Sequence, residues 1–538
     1  MNRRNFFKTG SIAGLSLTAF PIISGCRTDG SKAEKENLID DFELNEATVD
    51  DLQQKMKDGK YTSRSIVELY LKRIQQIDKN GPKINSVIEI NPDALAIADT
   101  MDSERKAGKL RSTLHGIPIL IKDNIDTADK MQTTAGATAL EGNIANKDAF
   151  IVKKLREAGA VILGKTNLSE WANFRSSKSS SGWSSRGGQT KNPYMLDRSP
   201  CGSSAGSGAA VAANLCAIAI GTETDGSITC PASINGVVGI KPTVGLVGRS
   251  GIIPISHTQD TAGPLSRTVR DAAILLGILT GIDPDDEKTK ESTGKSYVDY
   301  DQFLDINGLK GKRIGYEKKP QSENQYINAE FKKAIEIMQQ LGAEVIEISY
   351  LDKISALGDS EYEVLKYEFK YGVNHYLSPA NAKVKTLKEV IEFNKKNEDT
   401  AMPYFKQDIL EMCEEKGGLE TKEYLKALES SHNGSKKIID EVMKQNKLDA
   451  ICGITIGPAC SIDVVYGDRW GDVSLTMPAA VSGYPHITVP CGMVYELPVG
   501  LSFFGAAYSE PALISIGFAY EQASKNRVKP EFKTCFEV

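Results

Sequence analysis

Apolar and polar positions along this chain fall into blocks that predict strands and helices in alternation. Residues 48–79 carry two helical patterns, and the second ends at Asn80-Gly81, a pair typical of helix termination. Short apolar runs and helical patterns then follow one another: strands are predicted over 84–90, 116–121 and 160–163, and helices over 92–108 and 150–159. Such alternation predicts an α/β domain on a largely parallel sheet.

The alternation resumes after residue 200 and returns near the C-terminus. The predicted helices and strands there cover 204–214, 215–220, 264–281, 449–454, 486–490, 499–504 and 511–524. Because strands from both parts of the chain belong to one sheet, the pattern favours a single large domain over residues 46–538. The first part of that domain, residues 46–112, is predicted to be a helical cap.

Residues 286–445 differ from the segments on either side of them. Long charged helical patterns dominate this region, glycine is scarce, and one strand-helix-strand stretch stands out at 313–349. We interpret the region as a mostly helical insertion. Most of its tyrosines and phenylalanines are expected to belong to its own core, because charged helices need apolar seams to pack; the others would line a substrate channel.

The first 26 residues have the pattern of a processing signal. Arg3 and Arg4 precede a mildly apolar stretch that ends in Ser24-Gly25-Cys26. This resembles a bacterial twin-arginine export signal joined to a lipoprotein box, with residues 27–45 as a flexible tether. It predicts an exported protein held at a membrane by a lipid on Cys26, on the periplasmic or cell-surface side. An ordinary membrane anchor and a chance basic start are the alternatives.

Composition and charge exclude several classes of protein. The 538 residues are 40% hydrophobic and 25% charged, a balance that excludes wholesale disorder. A net charge of −5 provides no basic field for a nucleic-acid backbone, so nucleic acid is not an expected partner. The five histidines lie far apart and the cysteines lack metal-ligand spacing. Neither a metal, a cofactor nor a disulfide framework is therefore predicted.

Two segments match known motifs in their letters, but the residues around or within them do not fit the structure that each motif requires. Residues 159–166 fit GxxxxGK[ST], but their four variable residues have the pattern of a strand, whereas a phosphate-binding loop needs the strand before its first glycine. Residues 202–206 fit GxSxG with Ser204 as nucleophile, but polar, proline-broken residues precede them where an α/β-hydrolase needs a buried strand. Nucleotide binding and Ser-His-Asp hydrolysis are therefore the weaker hypotheses.

Three further residues form a candidate catalytic set. Lys122 directly follows an apolar strand, Ser203 stands in a Gly/Ser-rich run, and Ser227 closes a tight turn. All three lie at ends of apolar elements, where open α/β sheets place their sites. A lysine and two serines match the composition of a Ser-Lys nucleophile system, provided that burial depresses the lysine pKa. Taken singly, they also fit a solvated surface lysine and flexible Ser/Gly loops.

The joint pattern resembles the amidase signature family of Ser-Ser-Lys hydrolases. The motifs that carry the resemblance are 115–118, 122–124, 134–136, 164–167 with Glu170, 199–207, 221–227, 239–243, 260–264 and 483–485. They appear in the family's order and cover about residues 48–285 and 446–538. The resemblance implies a single α/β domain with a twisted, mixed, mostly parallel central sheet flanked by helices.

The resemblance also implies a role for each residue of the set. Ser227 would be the nucleophile, Ser203 the bridging serine and Lys122 the base. The interval of 24 positions from Ser203 to Ser227 matches the usual family interval. The interval of 81 positions from Lys122 to Ser203 is slightly longer than in many members, and the extra residues are expected in a surface loop over 175–189.

The nucleophile turn departs from the common family pattern. Backbone N–H groups of Thr224, Asp225, Gly226 and Ser227 would form the oxyanion hole. Many members have a glycine at the position of Asp225 and an arginine at that of Thr229. The form found here is similar to bacterial peptide-amidase-like and aryl-acylamidase-like members and differs from the glutamine-hydrolysing subunit of the tRNA-dependent amidotransferase. Ser204 and Ser207 are expected to serve helix start and packing.

The expected function is hydrolysis of carboxylic amides through an acyl-enzyme on Ser227. The expected partner is a small-molecule or peptide substrate, such as a peptide amide or an N-acyl amine, and no obligate protein partner is expected. An esterase or a general carboxamide hydrolase is the chemically close alternative. A catalytically inactive binding lipoprotein is the alternative from another class.

Overall fold

The computed structural model of the chain describes residues 42–536. Arg3, Arg4, Cys26 and residues 27–41 of the predicted tether lie outside the described residues. One compact unit begins at Leu44. None of the helices within residues 42–536 combines the length and apolar character that crossing a membrane requires.

The centre of this unit is an 11-stranded sheet. Its strands are β1 (Val87–Ile90), β2 (Pro118–Lys122), β3 (Val161–Thr166), β6 (Ile218–Glu223), β7 (Val238–Lys241), β8 (Thr261–Ser266), β9 (Arg313–Glu317), β10 (Glu344–Ile348), β11 (Ala450–Ile454), β12 (His486–Val494) and β13 (Leu497–Phe504). Two further strands, β4 (Trp183–Ser184) and β5 (Gly188–Gln189), form a separate two-stranded ribbon. The order across the sheet is β1-β3-β2-β6-β8-β7-β12-β13-β11-β9-β10.

The pairing confirms a mixed sheet. The pairs β2·β3, β2·β6, β9·β10 and β9·β11 are parallel. The six other neighbouring pairs are antiparallel, so parallel pairs are fewer than the alternation of strands and helices predicted. Every residue of β2, β3 and β6 is buried, which agrees with their continuous apolar runs and with helices on the sheet faces.

Helices flank the sheet and build the region between β8 and β11. In chain order they are α1 (Val49–Lys57), α2 (Ser63–Arg73), α3 (Ala94–Lys106), α4 (Phe150–Glu157), α5 (Ala205–Ala212), α6 (Thr229–Ile234), α7 (Val269–Leu279), α8 (Gln325–Gln340), α9 (Leu351–Ser355), α10 (Gly358–Leu377), α11 (Leu387–Lys396), α12 (Glu398–Ala401), α13 (Asp408–Glu414), α14 (Lys422–Leu428), α15 (Gly434–Asn446), α16 (Met477–Ser482) and α17 (Glu510–Ser524). The π-helical turns Ile74–Lys79 and Glu429–Asn433 extend α2 and α14.

One predicted helix start is wrong. Residues 261–266 form β8, with Pro264 opposite Ile220, and the helix begins only after Thr268, whose side chain accepts a hydrogen bond from Asp271 N. Pro264 has no N–H to donate, and it lies just beyond the last residue pair that β8 forms with β7. A strand can therefore hold a proline at this point.

Two parts of the insertion attach it to the rest of the fold. Its strand-helix-strand stretch adds β9, α8 and β10 to one edge of the sheet. Its longest helix, α10, packs Phe369, Val373 and Leu377 into a hydrophobic cluster with Trp171. The expectation that most aromatic residues of the insertion belong to its core holds for Phe369 and Tyr367, whereas Tyr371 remains 58% exposed.

Candidate active site

Lys122 ends β2 beside the end of β6. Because β2 and β6 run parallel, their carboxyl ends meet at one edge of the sheet, and this places Lys122 against Thr222. The Lys122 Nζ atom lies 2.8 Å from Thr222 Oγ1 and 3.2 Å from the Thr222 carbonyl oxygen. Its third contact, at 2.7 Å, is with Ser203 Oγ. The topology of the sheet thus brings together two of the three candidate residues.

The surroundings of Lys122 favour its neutral form. The side chain is fully buried, and burial lowers its pKa to about 7 because the ammonium loses hydration. The negative charges of Asp260 and Glu223 oppose this shift. A neutral amine has two N–H groups and one lone pair. The N–H groups fit the two Thr222 oxygens, so the lone pair is left for the Ser203 hydroxyl to donate to.

Ser203 stands on a tightly packed loop before α5. The Gly202–Ser203 peptide bond is cis. Ser169 N donates to the Ser203 carbonyl oxygen at 3.1 Å, and Gly206 N donates to Asn167 O at 2.9 Å. A Cβ atom on Gly206 would lie 2.3 Å from the Ser86 carbonyl oxygen, so glycine is required for this close approach. The Gly/Ser composition of the loop therefore reflects dense packing and not flexibility.

Ser227 closes the turn 224–227 after β6, where Gly226 has a positive φ of 76°. Ser204 N donates to the Ser227 carbonyl oxygen at 3.1 Å, which makes the two serine-bearing segments direct neighbours. Ser227 is 8% exposed and Ser203 is 1% exposed, so Ser227 is the outer of the two. Within residues 42–536, the Ser227 hydroxyl and the N–H groups of Asp225, Gly226 and Ser227 have no hydrogen-bond partner.

Carboxylates on both sides hold this turn. Glu223 Oε2 accepts from Ile228 N at 2.8 Å and from Thr229 N at 2.9 Å, which fixes the backbone directly after the nucleophile candidate. On the other side, Asp260 Oδ1 accepts from Thr224 Oγ1 at 2.5 Å. Burial raises the pKa of Asp260 to about 6. The turn is thus fixed by anchors outside it, and its own N–H groups remain available for a ligand.

A pair of carboxyl groups connects the turn to the helical insertion. The carboxyl groups of Asp225 and Glu361 are hydrogen-bonded to each other, and Gln259 Nε2 donates to Glu361 Oε1 at 2.9 Å. The same Gln259 amide donates to the Thr224 carbonyl oxygen at 3.3 Å. Burial and the negative charge of Asp225 raise the pKa of Glu361. Glu361 therefore carries the proton that two adjacent carboxyl groups must share.

Comparison with known proteins decides the family. A model of the amidase family matches residues 65–514. A probable amidase of Arabidopsis thaliana is 43% identical over 520 residues, which are 93% of this chain and 94% of that protein. The chain belongs to the amidase family. It is a hydrolase of carbon–nitrogen amide bonds, as the resemblance implied.

Solved amidase structures share the whole architecture. The native peptide amidase from Stenotrophomonas maltophilia is 46% identical and superposes with a TM-score of 0.88 over 92% of this chain and 100% of its own. A peptide amidase in complex with the competitive inhibitor chymostatin is 45% identical, with a TM-score of 0.87 over 91% and 99% of the two chains. The predicted fold and the likeness to the peptide-amidase-like branch are confirmed.

This amidase contains a disulfide that its sequence did not suggest. Cys201 and Cys230 are bonded across 29 residues, without a CxxC or similar motif. Cys201 precedes Ser203 by two residues, and Cys230 follows Ser227 by three. The cysteine spacing suggested no disulfide framework and left open whether any cysteines pair, and the structure shows that these two do. The pairing depends on how the sheet brings the two serine segments together, which cysteine spacing does not encode.

The expected packing role of two neighbouring serines agrees with the structure, and the expected surface loop agrees with it in part. Ser204 Oγ lies 3.1 Å from the Thr222 carbonyl oxygen, and Ser207 Oγ donates to Ile220 O at 2.9 Å, so both serve packing. Residues 175–189, expected as a surface loop, are a mixture of buried and half-buried positions, with Ser177 and Lys178 exposed. The reason is that Arg175 donates to the carbonyl oxygens of Ala401 and Tyr404, which fixes the loop against the insertion.

A cavity of about 560 Å³ opens beside the turn. Its wall includes Thr222 and Thr224 of the site but not the side chains of Ser203 or Ser227. The remaining wall comes from residues 249–257 and from α10, including Tyr376. The insertion thus shapes the space next to the candidate nucleophile. Helical patterns predicted a mostly helical insertion, but they did not indicate which helix face lines the cavity.

Proposed function

We propose that this amidase hydrolyses carboxamides through an acyl-enzyme on Ser227, with Ser203 as bridge and Lys122 as base. The observation that carries the proposal is the 2.7 Å contact between Lys122 Nζ and Ser203 Oγ in a fully buried setting. A lysine in water is almost wholly protonated at neutral pH, whereas a lysine with a pKa of about 7 is half deprotonated there.

The reaction then proceeds by a proton relay. The Lys122 lone pair takes the proton of Ser203 Oγ, and Ser203 takes that of Ser227 Oγ as this oxygen bonds to the substrate carbonyl carbon. The relay runs backwards to protonate the amide nitrogen as the carbon–nitrogen bond breaks, which releases ammonia or an amine. Water, activated by the same relay, then releases the acid and restores the Ser227 hydroxyl.

The unpartnered N–H groups of the turn suit the tetrahedral intermediate. Donors that are already oriented and dry stabilise a developing oxyanion by about 10²–10³-fold in rate per donor. Asp225 can occupy a position where many relatives have glycine, because the donor is its backbone N–H. We include Thr224, Asp225, Gly226 and Ser227 in the proposed oxyanion hole.

The test of this function is loss of amide hydrolysis in Ser227→Ala. The wild-type enzyme is expected to turn over simple aryl amides, and the purified, folded variant is expected to be inactive. Wild-type turnover in the variant would contradict the nucleophile assignment. If neither protein hydrolyses amides or esters, the inactive binding lipoprotein becomes the better explanation.

For the substrate, we propose peptide amides or N-acyl amines. The support is the similarity to peptide amidases, of which one was solved with the inhibitor chymostatin. A screen of peptide amides, aryl anilides, N-acyl amines and matched esters, compared by kcat/KM, tests this proposal. If short aliphatic amides rank first and peptide amides last, a general carboxamide hydrolase is the correct description. If esters outrank every amide, it is an esterase.

We also propose that the enzyme is exported and lipid-anchored through Cys26, as residues 1–26 predict. Replacing Arg3 and Arg4 together by lysine is expected to leave the precursor in the cytoplasm, because twin-arginine export depends on both arginines. Cys26→Ala is expected to yield protein that is not attached to membranes. Absence of a radiolabelled fatty acid from the wild-type protein would contradict the anchor.

A further inference from the structure

The cavity beside the nucleophile turn has an unbalanced set of charges. Six carboxyl groups line it, against one lysine and one arginine, and the carboxyl groups are Asp126, Asp148, Asp260, Asp285, Asp286 and Glu368. Both cations are already engaged, since Arg249 Nε lies 2.7 Å from Asp286 Oδ2 and Lys147 pairs with Asp285. Asp148 is paired with Arg156, which is not one of the lining residues. The excess of negative charge that the wall presents to a ligand therefore lies on Asp126, Asp260 and Glu368.

Asp126 lies in this wall in a fixed orientation. The Tyr376 hydroxyl donates to Asp126 Oδ1 at 2.8 Å. Asp126 N donates to the Gly251 carbonyl oxygen at 2.8 Å, which holds the backbone. The side chain is largely buried, and no cation of the wall forms an ion pair with it among the described residues. The charge of buried Lys165 acts on the Asp126 carboxyl group without pairing with it, since Lys165 Nζ donates to the Ile125 carbonyl oxygen at 2.6 Å and to Thr133 Oγ1 at 3.1 Å. An ammonium group of a ligand can therefore still pair with Asp126.

Two buried asparagines supply an independent indication of a ligand. Asn143 and Asn124 both line the cavity, both are 1% exposed, and their Oδ1 atoms have no hydrogen-bond partner among the described residues. Their orientation is fixed, because Asn143 Nδ2 donates to the Thr133 carbonyl oxygen at 2.8 Å and Asn124 Nδ2 donates to Thr222 Oγ1 at 3.0 Å. Buried acceptors without donors are unfavourable unless a ligand supplies N–H groups.

The position of the cavity connects it to the reaction. Thr222, which contacts Lys122, and Thr224, which begins the nucleophile turn, both belong to its wall. A substrate whose carbonyl carbon is at Ser227 can therefore extend into the cavity. An ammonium group offers three N–H donors and a positive charge, which match amide oxygens and a carboxylate at once.

We propose that this cavity selects amide substrates whose acyl part carries a primary ammonium group, with Asp126, Asn143 and Asn124 as its recognition residues. The inference rests on the proposed amide hydrolysis at Ser227 and adds the substrate class. Anionic acyl groups are disfavoured by the same wall.

The test compares two series of p-nitroanilides of increasing chain length, ω-aminoalkanoyl and the matching uncharged alkanoyl. In the wild-type enzyme, kcat/KM at the best length is expected to be about tenfold higher for the amino compound. In Asp126→Asn this ratio is expected to fall towards one. The matched control is Asp440→Asn. Asp440 also accepts a hydrogen bond from a tyrosine hydroxyl, that of Tyr484, but it lies outside the cavity. The kcat/KM ratio of this variant is expected to equal the wild-type ratio.

A second measurement needs no variant. Hexylamine is expected to inhibit hydrolysis of an uncharged anilide competitively at concentrations where 1-hexanol does not. The inference is overturned if the wild-type ratio is one or less at every length, if Asp126→Asn lowers both series equally, or if the two inhibitors act alike. In each of these cases hydrolysis of the uncharged anilides still supports the proposed function, whereas no hydrolysis of any anilide contradicts the function itself.

Discussion

Lys122 Nζ lies 2.7 Å from Ser203 Oγ, and neither side chain is more than 1% exposed. A buried lysine that touches a serine is unfavourable for stability in its charged form, because the ammonium loses hydration. The arrangement is useful when the lysine is neutral and accepts a proton. The pH dependence of the enzyme should therefore report on this contact.

With a Lys122 pKa of about 7, kcat/KM is expected to rise with pH and to level off above about 7. The sign follows from the chemistry: the free amine is the base, and below the pKa its fraction falls about tenfold for each pH unit. The measurement is a pH profile on an uncharged anilide. Lys122→Ala should lose this ascending limb and recover part of its activity in alkali. An unchanged limb in the variant would assign it to another group.

The two serines are expected to differ in importance. Ser227→Ala removes the attacking oxygen and should lower kcat by at least about 10³. Ser203→Ala leaves space for a water that partly restores the relay, so measurable activity should remain. Ser207→Ala is the matched control, since Ser207 is a buried serine of the neighbouring helix and bonds only to packing partners. Equal, pH-independent losses in Ser203→Ala and Lys122→Ala would indicate structural roles.

Glu361 is expected to position the nucleophile turn as an uncharged acid. Glutamine reproduces a protonated glutamate, since it donates to Asp225 and still accepts from Gln259. Glu361→Gln should therefore keep kcat within a few-fold, and Glu361→Ala should lower it by about tenfold, the rate equivalent of one lost hydrogen bond. Thermal unfolding of both variants controls for loss of the fold. Equal damage by the two substitutions would mean that Glu361 is ionised.

The Cys201–Cys230 disulfide is expected to stabilise the enzyme and to hold the segments of Ser203 and Ser227 at a fixed distance. For a 29-residue separation, its removal should lower the free energy of unfolding by about 3.6 kcal/mol. The double variant Cys201→Ser, Cys230→Ser should show a lower Tm and a lower kcat than the wild type. Dithiothreitol should lower both values in the wild type and neither in the double variant. If dithiothreitol still lowered Tm or kcat in the double variant, the effect would come from other cysteines.

Much of the fold and the three candidate catalytic residues could be predicted, because both depend on local sequence patterns. The apolar run before Lys122 predicts both its strand and its burial, and the family motifs identify Ser203 and Ser227. The roles of Thr222, Glu361 and the Cys201–Cys230 bond could not be predicted in the same way. Each depends on which distant segments the sheet and the insertion bring into contact, and no periodicity or spacing specifies that.

Beside the site, the partial burial of residues 175–189 could not be predicted either. A run rich in Ser, Gly and Arg is typical of an exposed loop, yet Arg175 at its start donates to two backbone carbonyl oxygens of the insertion. A single sequence without the fold holds no information about those partners. The cavity is a similar case, because its wall combines residues from β6, the 249–257 segment and α10.

The most direct test of the account is to locate the acyl group during turnover. The enzyme is mixed with an activated ester or anilide, quenched in acid, digested and analysed by mass spectrometry. We predict the acyl mass on the peptide that contains Ser227, in the wild type and in Ser203→Ala, and its absence from Ser227→Ala. An acyl group on Ser203 or Ser204, or one that still accumulates in Ser227→Ala, would contradict the proposed nucleophile.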